Sequence, residues 1–400
     1  MNVQALPFPV ARQIVLERLA AAAGKPCVES VALPAALGRV LAQPVRADRD
    51  LPPTARSVRD GFAVRAADTP GVLHLIGEVR AGEPALKPLP PGAAIEIMTG
   101  APLPEGADAV VMVEHVTRDG HDITVPAATP GQNFNPRASE ARRGDVLLEA
   151  GQRLSYPELA LCAAVGASRL DVYAKPRVAI LPTGDEVIPY VEPPLPHQVR
   201  NSNAVSLAAQ VMLAGGDPNT LLTAPDRIEK TVDLIRTGLE ADILLLSGGV
   251  SAGKYDVVET ALQHHGAMIF FERVAIQPGQ PLVFGRIKET YFFGLPGNPV
   301  STMVCFEVFA RAAIDLLGGC RESPLPLLRA TLEEAFSHRA GLTRFLPARL
   351  SADGRTVRKL AWSGSSDISA VARSNCFVVA APDTPDYRAG DQIPVLLRHR

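Results

Sequence analysis

With 400 residues, 47% of them hydrophobic and 20% charged, the chain can bury substantial cores and predicts roughly two to four domains rather than a disordered polymer. Forty Lys and Arg against 42 Asp and Glu leave a formal charge of −2, which excludes nucleic-acid binding by a bulk basic surface, so any anionic ligand must be held locally. Five scattered cysteines (Cys27, Cys162, Cys305, Cys320, Cys376) form no C-x-x-C pair or zinc spacing, and no leader or run of ~18 apolar residues is present; reduced thiols in a cytoplasmic, non-membrane protein are expected.

The first predicted element is a helix over Val10 to Ala23, apolar at Ile14, Leu16 and Leu19. From Val45 to about Val125, short β-rich pieces alternate with turn signals: Val72–Ile76, Ala93–Ile97 and Ala109–Val113 are separated by PG, APLPEG and RDG. A second helix, Tyr156–Val165, starts at the N-cap candidate Ser155 and stops at Gly166. It is expected to pair with the opening segments, making the β-rich module an insertion between two parts of one domain.

From Arg177 the rhythm becomes strand, glycine loop, helix. Strand Val178–Leu181 leads into Pro182-Thr-Gly-Asp-Glu186, a helix spans Asn201–Leu213, and Leu221-Leu222 precedes a charged helix, Arg227–Leu239. Then come the strand Ile243–Leu246, a helix over Val257–His264, the strand Tyr291–Phe293 and a helix after Asn298. This alternation predicts a parallel, doubly wound sheet with its ligand crevice at the carboxyl ends of the strands. The unbroken apolar run ILLL suits a strand covered on both faces. Past Pro324, short strands (Arg344–Leu350, Thr356–Leu360, Phe377–Ala381, Ile393–Leu397) predict a small β-barrel or sandwich.

Four loops end strands of the α/β layer: 182–186, Ser247-Gly-Gly-Val-Ser-Ala-Gly253, Gln277-Pro-Gly-Gln-Pro281 and Gly294-Leu-Pro-Gly-Asn-Pro-Val-Ser301. Successive exposed amides near helix N-termini cradle anions without side-chain charge, although any one such loop is also an ordinary tight connection. Among these loops the candidate ligand-binding residues are Gly184, Ser247, Gly248, Gly249, Ser251, Gly279, Pro296, Gly297, Asn298 and Pro299. Nearby carboxylates Asp60, Asp185, Glu186 and Asp256 are hard oxygen ligands of the kind that hold Mg²⁺ against a phosphate; helix capping by Asp185 and a turn role for Asp60 are the alternatives. His264 and His265 point about 100° apart on a helix, cannot share one metal ion and are expected to face solvent at the helix end. Trp362 is expected to cover the core of the last β unit.

Ser57-x-x-Asp-Gly-x-Ala-Val64, Ile97-Met-Thr-Gly-Ala-Pro-Leu-Pro-Glu-Gly-Ala-Asp-Ala-Val-Val111, Pro182-Thr-Gly-Asp-Glu186, Ser247-Gly-Gly-Val-Ser251 and Gly294-Leu-Pro-Gly-Asn-Pro-Val-Ser301 together resemble the MoeA family of molybdopterin molybdenumtransferases, relatives of the gephyrin E domain. The resemblance implies a multidomain α/β plus β protein. Its parts are an N-terminal helical domain over 1–44 and 143–175, an inserted β-rich domain over 45–142, a MogA-like α/β domain over 176–322 and a C-terminal β-barrel over 323–400. It implies insertion of molybdenum from molybdate into adenylylated molybdopterin with release of AMP, Mg²⁺ as metal, and a homodimer whose cleft is built by both subunits. A MogA-like adenylyltransferase or a molybdoenzyme chaperone would be a further partner.

Carried over by position, the implied catalytic residues are Asp60, Thr99, Glu186 and Asp256, the last two also metal ligands, with Pro296, Pro299 and Ser365 lining the site. Departures cluster where anionic chemistry is expected. Gln277 and Gln280 replace the two lysines of a K-P-G-K-P loop, Lys254 and Arg59 replace an acidic residue and a methionine, and Glu140 stands for a catalytic aspartate. Either Arg59, Arg137 and Lys254 restore the charge in the cleft, or the protein binds and hands over pterin nucleotide without inserting metal. A peptide-binding scaffold is the third class.

Overall fold

The computed structural model describes residues 4–22, 26–84, 87–249 and 257–398, so Ser251, Lys254 and Asp256 lie outside the described residues. The first helix, Phe8–Ala22, buries Ala11, Val15 and Leu19 along one stripe against the core of the α/β layer. Arg12 lies on the same helix, is only 9% exposed, and donates to the carbonyls of Val308 and Ser323. Burial lowers its pKa to about 10, opposed by the nearby Asp315 charge. Arg12→Met would leave both carbonyls without their donor, and we expect a loss of about 2–4 kcal/mol, read as a lower thermal midpoint. An unchanged midpoint would show that water replaces the guanidinium at no cost.

Strands Val28–Ala32 and Arg169–Tyr173 pair antiparallel, joining the two flanks of the inserted segment. Helix Tyr156–Ala164 starts where the Ser155 amide donates to the Glu158 carboxylate at 2.8 Å. Between these flanks lies a six-stranded sheet, in the order Ala109–Met112, Gly61–Val64, Ala93–Ile97, Gly71–Val79, Asp122–Val125, Thr117–Asp119. Phe62 and Val64 enter a core on one face, while Ala63, Ile95 and Ile97 enter a second core on the other, so strand Gly61–Val64 is apolar without alternation. Short pieces such as Gly61–Val64 carry too few residues to announce themselves in the sequence.

The α/β layer is a six-stranded sheet in the order Asp217–Thr220, Arg177–Pro182, Ile243–Ser247, Thr290–Leu295, Pro281–Ile287, Met268–Arg273. The first four strands are parallel, as the sequence predicts; the last two run antiparallel and extend the layer. Met268–Arg273 is a half-exposed edge strand, and Pro281–Ile287 turns back directly into Thr290–Leu295, so neither shows a strand-helix-strand rhythm. The edge strand Asp-Pro-Asn-Thr has poor β character and forms through its pairing with Arg177–Ile180, one step before the expected Leu221-Leu222. Ile243 and Leu245 face one core and Leu244 and Leu246 the other, which accounts for the ILLL run.

His265 corrects one expectation. Its Nε2 lies 2.9 Å from the Val232 carbonyl and the residue is half-buried, because helix Val257–His264 packs against helix Ile228–Gly238; only His264 is exposed. The helix after Asn298 runs Pro299–Cys305 and continues through a π-turn, Phe306–Ala310, to Leu317.

Five strands close the C-terminal barrel in the cyclic order Thr343–Leu350, Thr356–Lys359, Leu327–Leu332, Gln392–Leu397, Cys376–Ala380. Ile276–Gln277 adds to it in parallel with Thr343–Arg344, tying the loop 277–281 of the α/β layer to the barrel. Trp362 packs against both the barrel core and the α/β core, as a cover between the two. Among the described residues no helix is long and apolar enough to cross a membrane.

Candidate functional site

Chain direction within the α/β sheet determines where a ligand can enter. From Arg177–Pro182 the chain crosses to Asp217–Thr220 on one side, then returns to Ile243–Ser247 on the other, so connections diverge between the two central strands. A crevice opens at the carboxyl ends of strands wherever the connections part in this way. There the structure has a cavity of about 710 Å³, lined by the strand ends Pro182–Thr183 and Ser247–Gly249, the turn Pro296–Pro299, Arg200 at the end of the short strand Val199–Arg200, the helix start Asn201–Asn203, Glu186 and Ser366. All four sequence-defined loops thus reach one place, the 277–281 loop through Pro281 alone.

Local hydrogen bonds fix these loops. The Thr183 amide donates to Ser247 O at 3.1 Å and the Gly248 amide to Leu295 O at 3.2 Å, continuing the sheet into its loops. Gly248 has φ +101°, and a Cβ there would stand 2.9 Å from Thr183 Oγ1 and 3.0 Å from Thr183 O. Only glycine gives the backbone this path beside the cavity. Gly184 lies directly under the Glu186 carboxylate, with room for no side chain between them: a Cβ would meet Glu186 Oε2 at 2.5 Å. Glu186 itself is exposed, and among the described residues its carboxylate has no hydrogen-bond or ion-pair partner.

Asn203, which the sequence reading missed, links two of the loops. Its Nδ2 donates to Ser247 Oγ at 2.9 Å and to Gly297 O at 2.8 Å, while Oδ1 is buried without a partner. We expect Asn203→Ala to free these two loops and weaken ligand binding by about tenfold or more, with KM rising more than kcat falls. A kinetic profile matching wild type would show that the loops hold without this link. The only sequence signal was its place next to Asn201, whose Oδ1 accepts from the Ala204 amide at 3.0 Å and caps the helix Ser202–Ala214.

Ser365 approaches from the barrel side. Its carbonyl accepts from the Val300 amide at 3.0 Å and its hydroxyl from Asn298 Nδ2 at 2.9 Å, so it buttresses the Pro296–Pro299 turn while its neighbour Ser366 lines the cavity. Gly279 is placed elsewhere: it is buried beneath helix Pro299–Cys305, where a Cβ would lie 2.4 Å from Cys305 Sγ. Gln277 and Gln280 do not line the cavity; Pro281 does. Arg200 is the one cation among its described lining residues. Its Nε donates to Glu192 O at 2.9 Å. Of the relocated charges, Arg137 pairs with Asp50 at 2.6 Å and Arg59 is exposed, and neither lines this cavity.

Asp60, Thr99 and Glu140 gather in the inserted module. Asp60 Oδ1 accepts from the Thr99 amide at 2.6 Å and from Thr99 Oγ1 at 2.7 Å, and Thr99 and Glu140 line a second cavity of about 450 Å³ with Ser57 and Asn135. The two donated bonds hold the Asp60 carboxyl below the usual carboxylate range. Because the folded pKa lies below the unfolded one, this contribution is present above the unfolded value and fades as pH falls through the folded one. Thr99→Val should raise the Asp60 pKa in a carboxyl-carbon NMR titration; an unmoved titration would mean that these bonds do not set its charge. The two cavities share no lining residue.

A mostly parallel α/β layer with a glycine-lined crevice at its topological switch point, joined to an inserted β-rich unit and a C-terminal barrel, defines a protein of multidomain α/β plus β architecture. Residues 6–166 match the family described as "MoeA N-terminal region (domain I and II)", residues 179–316 "Probable molybdopterin binding domain" and residues 329–397 "MoeA C-terminal region (domain IV)". The Bacillus subtilis protein called molybdopterin molybdenumtransferase is 34% identical over 387 residues, covering 92% of this chain and 89% of the relative. A Staphylococcus epidermidis protein of the same name is 30% identical over 379 residues, with 92% and 90% covered. The crystal structure of the molybdopterin biosynthesis moeA protein from Pyrococcus horikoshii OT3 superposes with a TM-score of 0.81 at 27% identity, covering 99% of this chain and 100% of that one. The chain belongs to the MoeA family.

Proposed function

We propose that the chain is a molybdopterin molybdenumtransferase: it binds adenylylated molybdopterin, inserts molybdenum from molybdate into the dithiolene and releases AMP. The observation that carries this reading is the convergence of Pro182–Thr183, Ser247–Gly249 and Pro296–Pro299 on one crevice at the strand ends of the α/β layer. In it, the Gly249 amide donates to a phosphate of the nucleotide, Arg200 supplies a positive charge, and Asn203 keeps the loops at their spacing.

Mg²⁺ fits the donors available. Glu186 offers a hard, exposed carboxylate with no partner among the described residues, and Asp256, the second ligand, lies outside them. When bound, Mg²⁺ would offset phosphate charge. Asp60 and Thr99 are held together by two hydrogen bonds that keep the Asp60 carboxylate ionised, and Glu140 lines the same cavity as Thr99. We assign these three to the same reaction in a homodimer, where the inserted module of one copy faces the crevice of the other; the separation of the two cavities within one chain supports this arrangement. The units we assign are 1–44 with 143–175, 45–142, 176–322 and 323–400, in a cytoplasmic enzyme that would exchange pterin with a MogA-like adenylyltransferase and pass the product to a molybdoenzyme chaperone.

The assay is release of AMP from adenylylated molybdopterin with molybdate and Mg²⁺, followed by mass spectrometry. Stoichiometric AMP and molybdenum cofactor are expected. Tight nucleotide binding without AMP release would identify a carrier instead, and light scattering giving a monomer would exclude the shared site.

A further inference from the structure

The barrel carries a second cationic surface that the crevice does not use. Strand Thr343–Leu350 pairs antiparallel with Thr356–Lys359 so that Arg349 stands directly opposite Arg358. Both line two adjoining cavities of about 510 and 720 Å³, joined by Asn375, with Arg373 in the first and Arg398 in the second. Like charges set opposite each other across a strand pair repel, and a sheet normally answers an exposed arginine with a carboxylate, as Glu96 answers Arg118 in the inserted sheet at 3.1 Å.

No such answer exists here. Among the described residues none of Arg349, Arg358, Arg373 and Arg398 forms an ion pair. The one acidic lining residue, Glu333, accepts a hydrogen bond from Thr356 Oγ1 at 2.6 Å. Arg398 Nη1 donates to Ser374 O at 2.7 Å and to Val371 O, which fixes its guanidinium on the groove wall and closes the end of the helix Ile368–Arg373. Arg349 and Arg358 have no comparable structural task.

We propose that this groove binds a small multivalent oxyanion, carried on phosphate or carboxylate groups, that settles between Arg349 and Arg358. Two guanidiniums presented side by side match the paired oxygens of such a group bidentately. The helix Ile368–Arg373 joins the groove to the crevice, since Ile368 lines the crevice and Ala372 and Arg373 line the groove. The inference stands apart from the reading of the crevice, because it rests on residues that the crevice does not contain.

Trp362, the only tryptophan in the chain, covers the two cores and does not line the groove, so binding is read by isothermal titration calorimetry. The test titrates the full-length protein with pyrophosphate, and in a second arm with citrate, at constant ionic strength. Saturable binding in at least one arm is expected, and the tighter arm tells whether phosphate or carboxylate is the natural group. Arg349→Gln with Arg358→Gln should weaken that binding at least about tenfold, while Gly248→Val in the crevice leaves it unchanged. The double variant should melt no lower than wild type without ligand, because a repulsive pair is removed; Arg373→Gln provides a second variant if it does not fold. No saturable signal in either arm, equal binding by the double variant, or loss in Gly248→Val would overturn the proposal, the last by moving the anion into the crevice.

Discussion

Gly248→Val should reduce kcat/KM for AMP release by at least about a hundredfold while leaving the barrel and the inserted module folded. At φ +101° a β-branched residue is strained, and its Cβ would meet Thr183 Oγ1 and Thr183 O within about 3 Å, both part of the neighbouring strand end. Thr183 cannot simply rotate away, because its amide is bonded to Ser247 O. The loop itself must move, and a displacement of about 1 Å at a phosphate cradle is enough to lose two orders of magnitude. Circular dichroism separates this from unfolding. Wild-type turnover in the folded variant would mean that the Ser247–Gly249 backbone does not touch the substrate.

The second large effect falls on charge rather than shape. Glu186→Gln keeps the side-chain volume, and no described partner is lost, so the thermal midpoint should stay within a degree or two of wild type, about 0.5 kcal/mol or less. Activity should fall by roughly a hundredfold at fixed Mg²⁺, in line with the loss of an ionised ligand or charge-assisted hydrogen bond plus some positioning. A higher Mg²⁺ requirement should accompany the loss. Equal activity at every Mg²⁺ concentration would remove Glu186 from the reaction, and a large drop in stability would make its role structural.

How far the sequence could be read depended on how much each feature relied on local pattern. The ILLL strand, the capped helix after Ser155 and the glycine loops at strand ends were all visible, because burial on both faces, a Ser-x-x-Glu cap and positive φ each leave a residue-level mark. The antiparallel pair Met268–Arg273 and Pro281–Ile287 and the edge strand Asp217–Thr220 left none: they exist through pairing with strands far along the chain, not through propensity. At the site, the loops and Glu186 were legible, whereas Arg200 and Asn203 were not. Both line the crevice because a short strand and the helix start that follows it land against loops from other strands, and no spacing in the sequence records that. Gly279 was read as a ligand-binding glycine, and its packing against Cys305, away from the crevice lining, became visible only in three dimensions. Resemblance supplied Asp60 and Thr99 as a pair, and their mutual hydrogen bonds give that pair a physical basis.

The account stands on where a nucleotide lies. A crystal soaked with AMP at saturating concentration tests this most directly. We expect the phosphate against the Ser247–Gly249 loop, beside Arg200, at the carboxyl ends of Arg177–Pro182 and Ile243–Ser247. AMP bound outside this crevice, or no AMP at all at saturation, would contradict the account.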